Sequence, residues 1–184
     1  MRLSFLIPMV FLPVTVFAQT SLNAISDSAF QKDLFKKSSV KSIQGGSPVD
    51  GQSFTLTGKG KVLGTFIAGK GFNAHDDNVC FVGWSEKKPL IKTVIPTIGF
   101  DDWEAEVCNA TKSVGIISND SDTTIKIAVI YEAASPNATA DEAVIFSVDS
   151  SKNDIEIDKA LTGRIGSSGA KTIGELKKHL TEAH

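Results

Sequence analysis

The stretch Cys80–Cys108, CFVGWSEKKPLIKTVIPTIGFDDWEAEVC, decides the fold. It holds both cysteines and both tryptophans of the chain. Val79, Phe81 and Gly83 alternate with Cys80, Val82 and Trp84, and a period of two marks a strand. The charged SEKKP that follows closes on a proline and reads as a turn. LIKTVIP then reads as a second strand, with Ile91, Thr93 and Ile95 on one face. EVC brings the chain back to the second cysteine. There is no C-x-x-C pair and there are only three histidines. The cysteines therefore suit a disulfide better than a metal site, which needs four ligands at workable spacing. A Cys80–Cys108 bond closes a loop of about 29 residues, which loop-closure entropy values at about 3–4 kcal/mol.

Working outward, SVGIIS and TIKIAVIYE read as two further strands. Ile125, Ile127, Val129 and Tyr131 share a face, and Tyr131, the single tyrosine, is expected at a strand surface. AVIFSVD is the returning strand, and IEI near 155–157 a last short one. Between them AASPNATADE is expected to form an exposed hairpin loop of about ten residues, longer than the usual two to five. Upstream, FTLT and KVLGTFIA read as strands joined at Gly58-Lys59-Gly60. Residues 38–52, rich in Ser and Gly, read as a loop.

The ends change character. In residues 21–37 Leu22, Ile25 and Ala29, then Phe30 and Leu34, recur at helical spacing. Ser26 or Asp27 is the expected cap, and Lys36 and Lys37 suit the C-terminal end. Thr172-Ile173-Gly174-Glu175 fits a capping box opening a short final helix, with Leu176 and Leu180 on one face. About nine short strands flanked by helices define a mainly β chain. The expected fold is a sandwich or barrel-like antiparallel domain with a short helix at each end of the mature chain.

The N-terminus, MRLSFLIPMVFLPVTVFAQT, has one positive charge at Arg2, an apolar run from Leu3 to Val16 and a small-x-small ending at Val16-Phe17-Ala18. This is the pattern of a secretory signal peptide over residues 1–18, which leaves one β-rich domain over 19–184. No later stretch approaches the ~20 apolar residues of a membrane helix. The expected address is the periplasm or the outside, where a disulfide persists. Loss of Arg2 with the leader takes the formal charge from -2 to -3. Such mild acidity excludes a strongly basic nucleic-acid binder. Three sequons begin at Asn109, Asn119 and Asn137, which matter only in a eukaryotic secretory pathway.

No motif specifies an enzyme, and no cofactor is implied. Gly69-Lys70-Gly71 lacks the spacing of a phosphate loop. His75-Asp76-Asp77 lacks the oxygen ligands that a hard cation needs, and reads as a solvated loop. His179 follows no nucleophile motif, and no G-x-S-x-G occurs. Asp101, Asp102, Glu104 and Glu106 surround Trp103. Paired carboxylates beside an aromatic can hydrolyse sugars, bind a basic partner, or sit at an ordinary surface. The candidate partner-binding residues are Asp101, Asp102, Trp103 and Glu104, with Ser135, Asn137, Asp141 and Glu142 on the expected hairpin loop.

A secreted β-domain with one disulfide resembles a fimbrial subunit in size and composition. Such subunits end in a strand that carries the assembly signal, whereas this chain is predicted to end in a helix. The general plan is also similar to small periplasmic inhibitors, such as lysozyme inhibitors and immunity proteins that protect against cell-wall-degrading toxins. It comprises a signal peptide, a compact β-rich domain, a disulfide, mild acidity and no catalytic set. This resemblance implies an exported binding or inhibitory protein with a protein partner, such as a basic secreted enzyme or toxin. A structural or adhesive β-domain is the alternative, and an exported hydrolase the third reading.

Overall fold

The chain builds two antiparallel sheets one after the other. The structure, a computed structural model, describes residues 19–100 and 103–182. The expected leader, and Asp101 and Asp102, lie outside the described residues. The first sheet is a five-stranded meander of β1 (Ser21–Ala24), β2 (Gln44–Gly58), β3 (Lys61–Phe72), β4 (Asn78–Ser85) and β5 (Thr93–Pro96), in that order. The second is a four-stranded meander of β6 (Val107–Ile116), β7 (Ile125–Ser135), β8 (Ala138–Asp149) and β9 (Asp154–Ile157). Helix α1 (Gln31–Ser39) lies between β1 and β2, and α2 (Lys159–Ile165) and α3 (Ile173–Glu182) follow β9. The expected mainly β fold with helices at both ends is present.

The two sheets face each other across one core, which makes the fold a sandwich. From the first sheet Leu56, Phe66, Cys80, Val82 and Trp84 point inward, and from the second Ile127, Val129, Tyr131, Val144 and Phe146. The Phe66 and Phe146 rings meet edge to face with centroids 5.5 Å apart, a favoured aromatic geometry. The outward faces are also covered. Phe30 and Leu34 of the α1 region pack on Ile67, Val79, Phe81 and Val94. Leu161, Ile165 and Leu176 of α2 and α3 pack on Ala128, Ile130, Ala143 and Ile145. The result is four layers: helix, sheet, sheet, helices. This explains why VCFVGW, IAVIY and AVIF are continuous apolar runs, since a strand buried on both faces has no polar side to show. In β4 every residue except Asn78 is buried.

Close layering requires small residues, as at Gly83 and Gly64. A Cβ on Gly83 would lie 2.6 Å from the Leu34 side chain, so α1 approaches the sheet only because that position is bare. On the inner face a Cβ on Gly64 would lie 2.3 Å from the Trp84 ring. The indole Nε1 of Trp84 donates to the Asn153 carbonyl oxygen at 2.8 Å, which ties the first sheet to the β8–β9 turn.

Several local expectations are corrected. Residues 21–24 form strand β1 rather than the start of a helix, with Leu22 opposite Leu56. Helix α1 starts at Gln31, after Phe30, and has no side-chain cap from Ser26 or Asp27. Strand β2 reaches back to Gln44, inside the expected 38–52 loop, with its ladder interrupted between Pro48 and Ser53. Ile91 precedes β5 and joins the cluster under α1, whereas Ile95 packs on the inner core. Tyr131 is fully buried between the sheets rather than at a surface. Burial raises its phenol well above the ordinary value, with Thr97 acting weakly against the shift. The disulfide joins Cys80 and Cys108 with Cα atoms 5.7 Å apart, and so bridges β4 and β6 across the sandwich.

Candidate functional site

The β5–β6 connection is stitched to both sheets. The Thr97 amide and hydroxyl both donate to the Cys80 carbonyl oxygen, at 2.9 and 2.8 Å. The Cys80 amide donates to the Ile98 carbonyl oxygen at 3.0 Å. The Gly99 amide closes on the Ala105 carbonyl oxygen at 3.3 Å, and the Trp103 amide on that of Phe100 at 2.9 Å. The Glu106 amide then donates to Ala134 in the second sheet at 3.1 Å. Within this frame Ala105 is buried, Trp103 is half-buried against the sandwich core, and Glu104 and Glu106 are exposed. Trp103 thus has one side anchored and one side open. Trp84, by contrast, is wholly interior.

The expected ten-residue hairpin loop does not exist. Strands β7 and β8 pair in unbroken register from Ile125↔Val148 to Ser135↔Ala138, which leaves a two-residue turn at Pro136-Asn137. Asn137 is at the turn tip, while Ser135, Asp141 and Glu142 are strand residues. The polar composition of AASPNATADE reflects the exposed end of a ladder, where backbone pairing continues after burial has stopped. Asp141 is committed to Lys112 at 2.8 Å, with its side chain 11% exposed, and so offers a partner little free charge. Glu142 is half-buried. Burial raises its pKa above the usual carboxylate range, and the neighbouring Glu104 raises it further.

That mutual influence, together with the Glu106–Ala134 bond, brings two stretches that are separate in the sequence to one end of the sandwich. Trp103, Glu104, Glu106 and Glu142 gather there, while Glu132, opposite Asp141 on the other face of the sheet, accepts from the Asn109 side-chain amide at 3.3 Å. Apolar area beside several carboxylates is a surface suited to a basic protein. Ser135 and Asn137 stand at the tip of the same hairpin.

A polar cluster absent from the sequence expectations lies at the far end of the β7–β8 ladder, where Lys126 and Ser147 are register partners. Lys126 Nζ is 2.7 Å from Ser147 Oγ and 2.5 Å from Asp158 Oδ2. These residues border an open hollow of about 770 Å³. A serine beside a lysine acts as a nucleophile only if the amine is neutral to take its proton. Here the amine is taken up in an ion pair with the Asp158 carboxylate. Asp158 also accepts from the Leu161 amide at 2.9 Å and caps α2. The cluster therefore pins α2 to the sheet. A correct reading of the two-residue turn would have revealed it, because that turn fixes Lys126 opposite Ser147.

The His75 loop is organised by Asn73, whose Oδ1 accepts from the amides of His75 and Asp77 at 2.8 and 3.0 Å. Among the described residues no group of three or more His, Cys, Asp or Glu is placed to hold a metal ion. No helix among them is long and apolar enough to cross a membrane. No family model, curated protein or solved structure matches the chain.

Proposed function

We propose that this is an exported binding or inhibitory protein whose Trp103 end engages a basic protein partner, such as a secreted enzyme or toxin. The observation that carries the reading is the convergence of the β5–β6 connection and the β7–β8 hairpin into one acidic, tryptophan-bearing end. Both outer sheet faces carry helices, and the Trp103 end is a part of the sandwich that they leave open. Half-buried Trp103 offers an aromatic anchor on a rigid base, the residue type that dominates interface energies. Glu104 and Glu142, and Asp101 and Asp102 from the sequence, would steer a positive surface towards it. The signal-peptide pattern and the disulfide support an extracytoplasmic address, periplasmic or secreted.

The test is binding kinetics on a partner that co-purifies from the native envelope or medium. Trp103→Ala is expected to cost about 2 kcal/mol, roughly thirtyfold in affinity. Asp101→Asn/Asp102→Asn and Glu104→Gln are expected to slow association, most at low salt. Suppose Trp103→Ala melts far below the parent while the charge changes leave association untouched. Trp103 would then be acting as core, and this end would not be the site.

A further inference from the structure

Beside the disulfide the inward face of the first sheet opens to the outside. Register sets Lys70 opposite Cys80 and Phe72 opposite Asn78, with Ser47 opposite Lys70 on the neighbouring strand. Residues directly opposite each other share a face, so these side chains stand on the face that Cys80 turns towards the second sheet. Together with Asn109 and Thr111 of β6 they line a hollow of about 370 Å³. This is the low end of the range for small-molecule sites. Phe72 is 44% exposed there, a large ring left in contact with water. Val49, Ala110 and the disulfide add apolar wall. Gly45, with φ at +63°, lies beside the Phe72 ring.

The charge on this wall is lopsided. Lys70 is the one charged side chain that lines the hollow, and among the described residues it enters no ion pair. The other polar groups are neutral: Ser47, Asn78, Asn109 and Thr111. Glu132 accepts from the Asn109 side-chain amide but is not among the residues lining the hollow. One cation among neutral hydrogen-bonding groups matches a single negative charge. A phosphate would call for several convergent cationic or N–H donors. An exposed phenyl ring matches a flat apolar body packed offset or edge-on.

We propose that this hollow binds a small carboxylate with an aromatic body, the ring against Phe72 and the carboxylate at the Lys70 ammonium. The site is on the opposite side of Cys108 from Glu106 and Trp103 in the chain, and it does not depend on the partner-binding reading.

The probe is 3-phenylpropionate, titrated into the ¹⁵N-labelled protein and followed by amide shifts, with neutral 3-phenylpropanamide alongside. Saturable shifts are expected at residues 45–47, 49, 70–72, 78–80 and 109–111. Lys70→Gln is expected to weaken binding about tenfold, and the amide to bind about tenfold more weakly than the acid. Lys70→Arg should retain binding, and Phe72→Ala should abolish saturation. Both side chains are substantially exposed, so melting temperatures serve as the folding control. Equal binding of acid and amide, indifference to Lys70→Gln, shifts centred elsewhere or no saturation at millimolar acid would each overturn the proposal. So would binding of a peptide ending in phenylalanine by a protein that ignores the free acid.

Discussion

Trp84 reaches across the sandwich to Asn153: its indole Nε1 donates to that residue's carbonyl oxygen at 2.8 Å, over 69 residues of sequence. The contact is the polar end of a side chain that is otherwise enclosed. A buried tryptophan without a partner for its N–H would carry a desolvation cost. Trp84→Phe removes the donor and part of the ring together. The expected loss is about 1–3 kcal/mol of unfolding free energy, measured by urea denaturation at neutral pH. An unchanged midpoint would mean that the β8–β9 turn does not depend on this bond.

The disulfide lies between buried sulfur-bearing residues, Cys80 at 2% and Cys108 at 3% exposure. Alkylation of the native protein is therefore expected to find no thiol until reductant and denaturant are both present. Cys80→Ala/Cys108→Ala should lose about 3–4 kcal/mol through the freer unfolded chain. Intact-mass measurement and denaturant titration check the two statements separately.

Two carboxylates should pull stability in opposite directions with pH. Burial alone would raise Asp158, but Lys126, the Leu161 amide and Ser147 outweigh it and hold the group below its ordinary value of 3.8. Its stabilisation is thus fully present above 3.8 and is lost as pH falls through the lower folded value. Glu142 is raised above its ordinary value of 4.5. Its favourable term is fully present below 4.5 and is lost as pH rises through the folded value. Denaturation from pH 3 to pH 7 should therefore show Asp158→Asn most damaging at neutral pH. Glu142→Gln should gain on the parent as pH rises. A Glu142→Gln curve parallel to the parent would mean that neither burial nor the neighbouring Glu104 disfavours the Glu142 carboxylate.

Export is checked at the chain's beginning. Protein recovered from its host should start at Gln19 or within a few residues of it, as the Val16-Phe17-Ala18 ending requires. A Met1 start in a membrane fraction would contradict this.

Strand faces were legible where side chains alternate between two unlike apolar environments. Cys80, Val82 and Trp84 separate cleanly from Val79, Phe81 and Gly83, and Ile127, Val129 and Tyr131 fall on one face as read. The turn at Lys59-Gly60 appears as read, and the Glu175 amide donates to Thr172 Oγ1 at 3.2 Å, but the return half of the box differs, since the Glu175 carboxylate accepts from the Lys171 amide at 2.8 Å rather than from that of Thr172. What was misread lies where pairing and burial part company. Ser135 to Glu142 are polar because they project beyond the core, yet they remain in a ladder that sequence polarity does not report. Gln44–Ser47 are strand because β3 pairs with them, despite two glycines of low strand propensity. Helix α2 was missed because seven residues containing Gly163 carry little periodicity. Its one local sign was Asp158 as cap. The two candidate stretches were separate in the sequence and meet in one surface through the Glu106–Ala134 bond, a tertiary contact that sequence does not report.

Each sheet is drawn from its own contiguous half of the chain, with every strand of the first ending by Pro96 and every strand of the second beginning at Val107 or later. The sulfur bridge from Cys80 to Cys108 is a second covalent tie between those halves. Cutting one peptide bond between 97 and 106 would thus yield a two-chain molecule held by its own cross-link, with neither sheet missing a strand. A protease that nicks this end would leave the mass on a non-reducing gel unchanged and release two pieces only on reduction. Such a nick would alter the Trp103 surface without dismantling the scaffold beneath it.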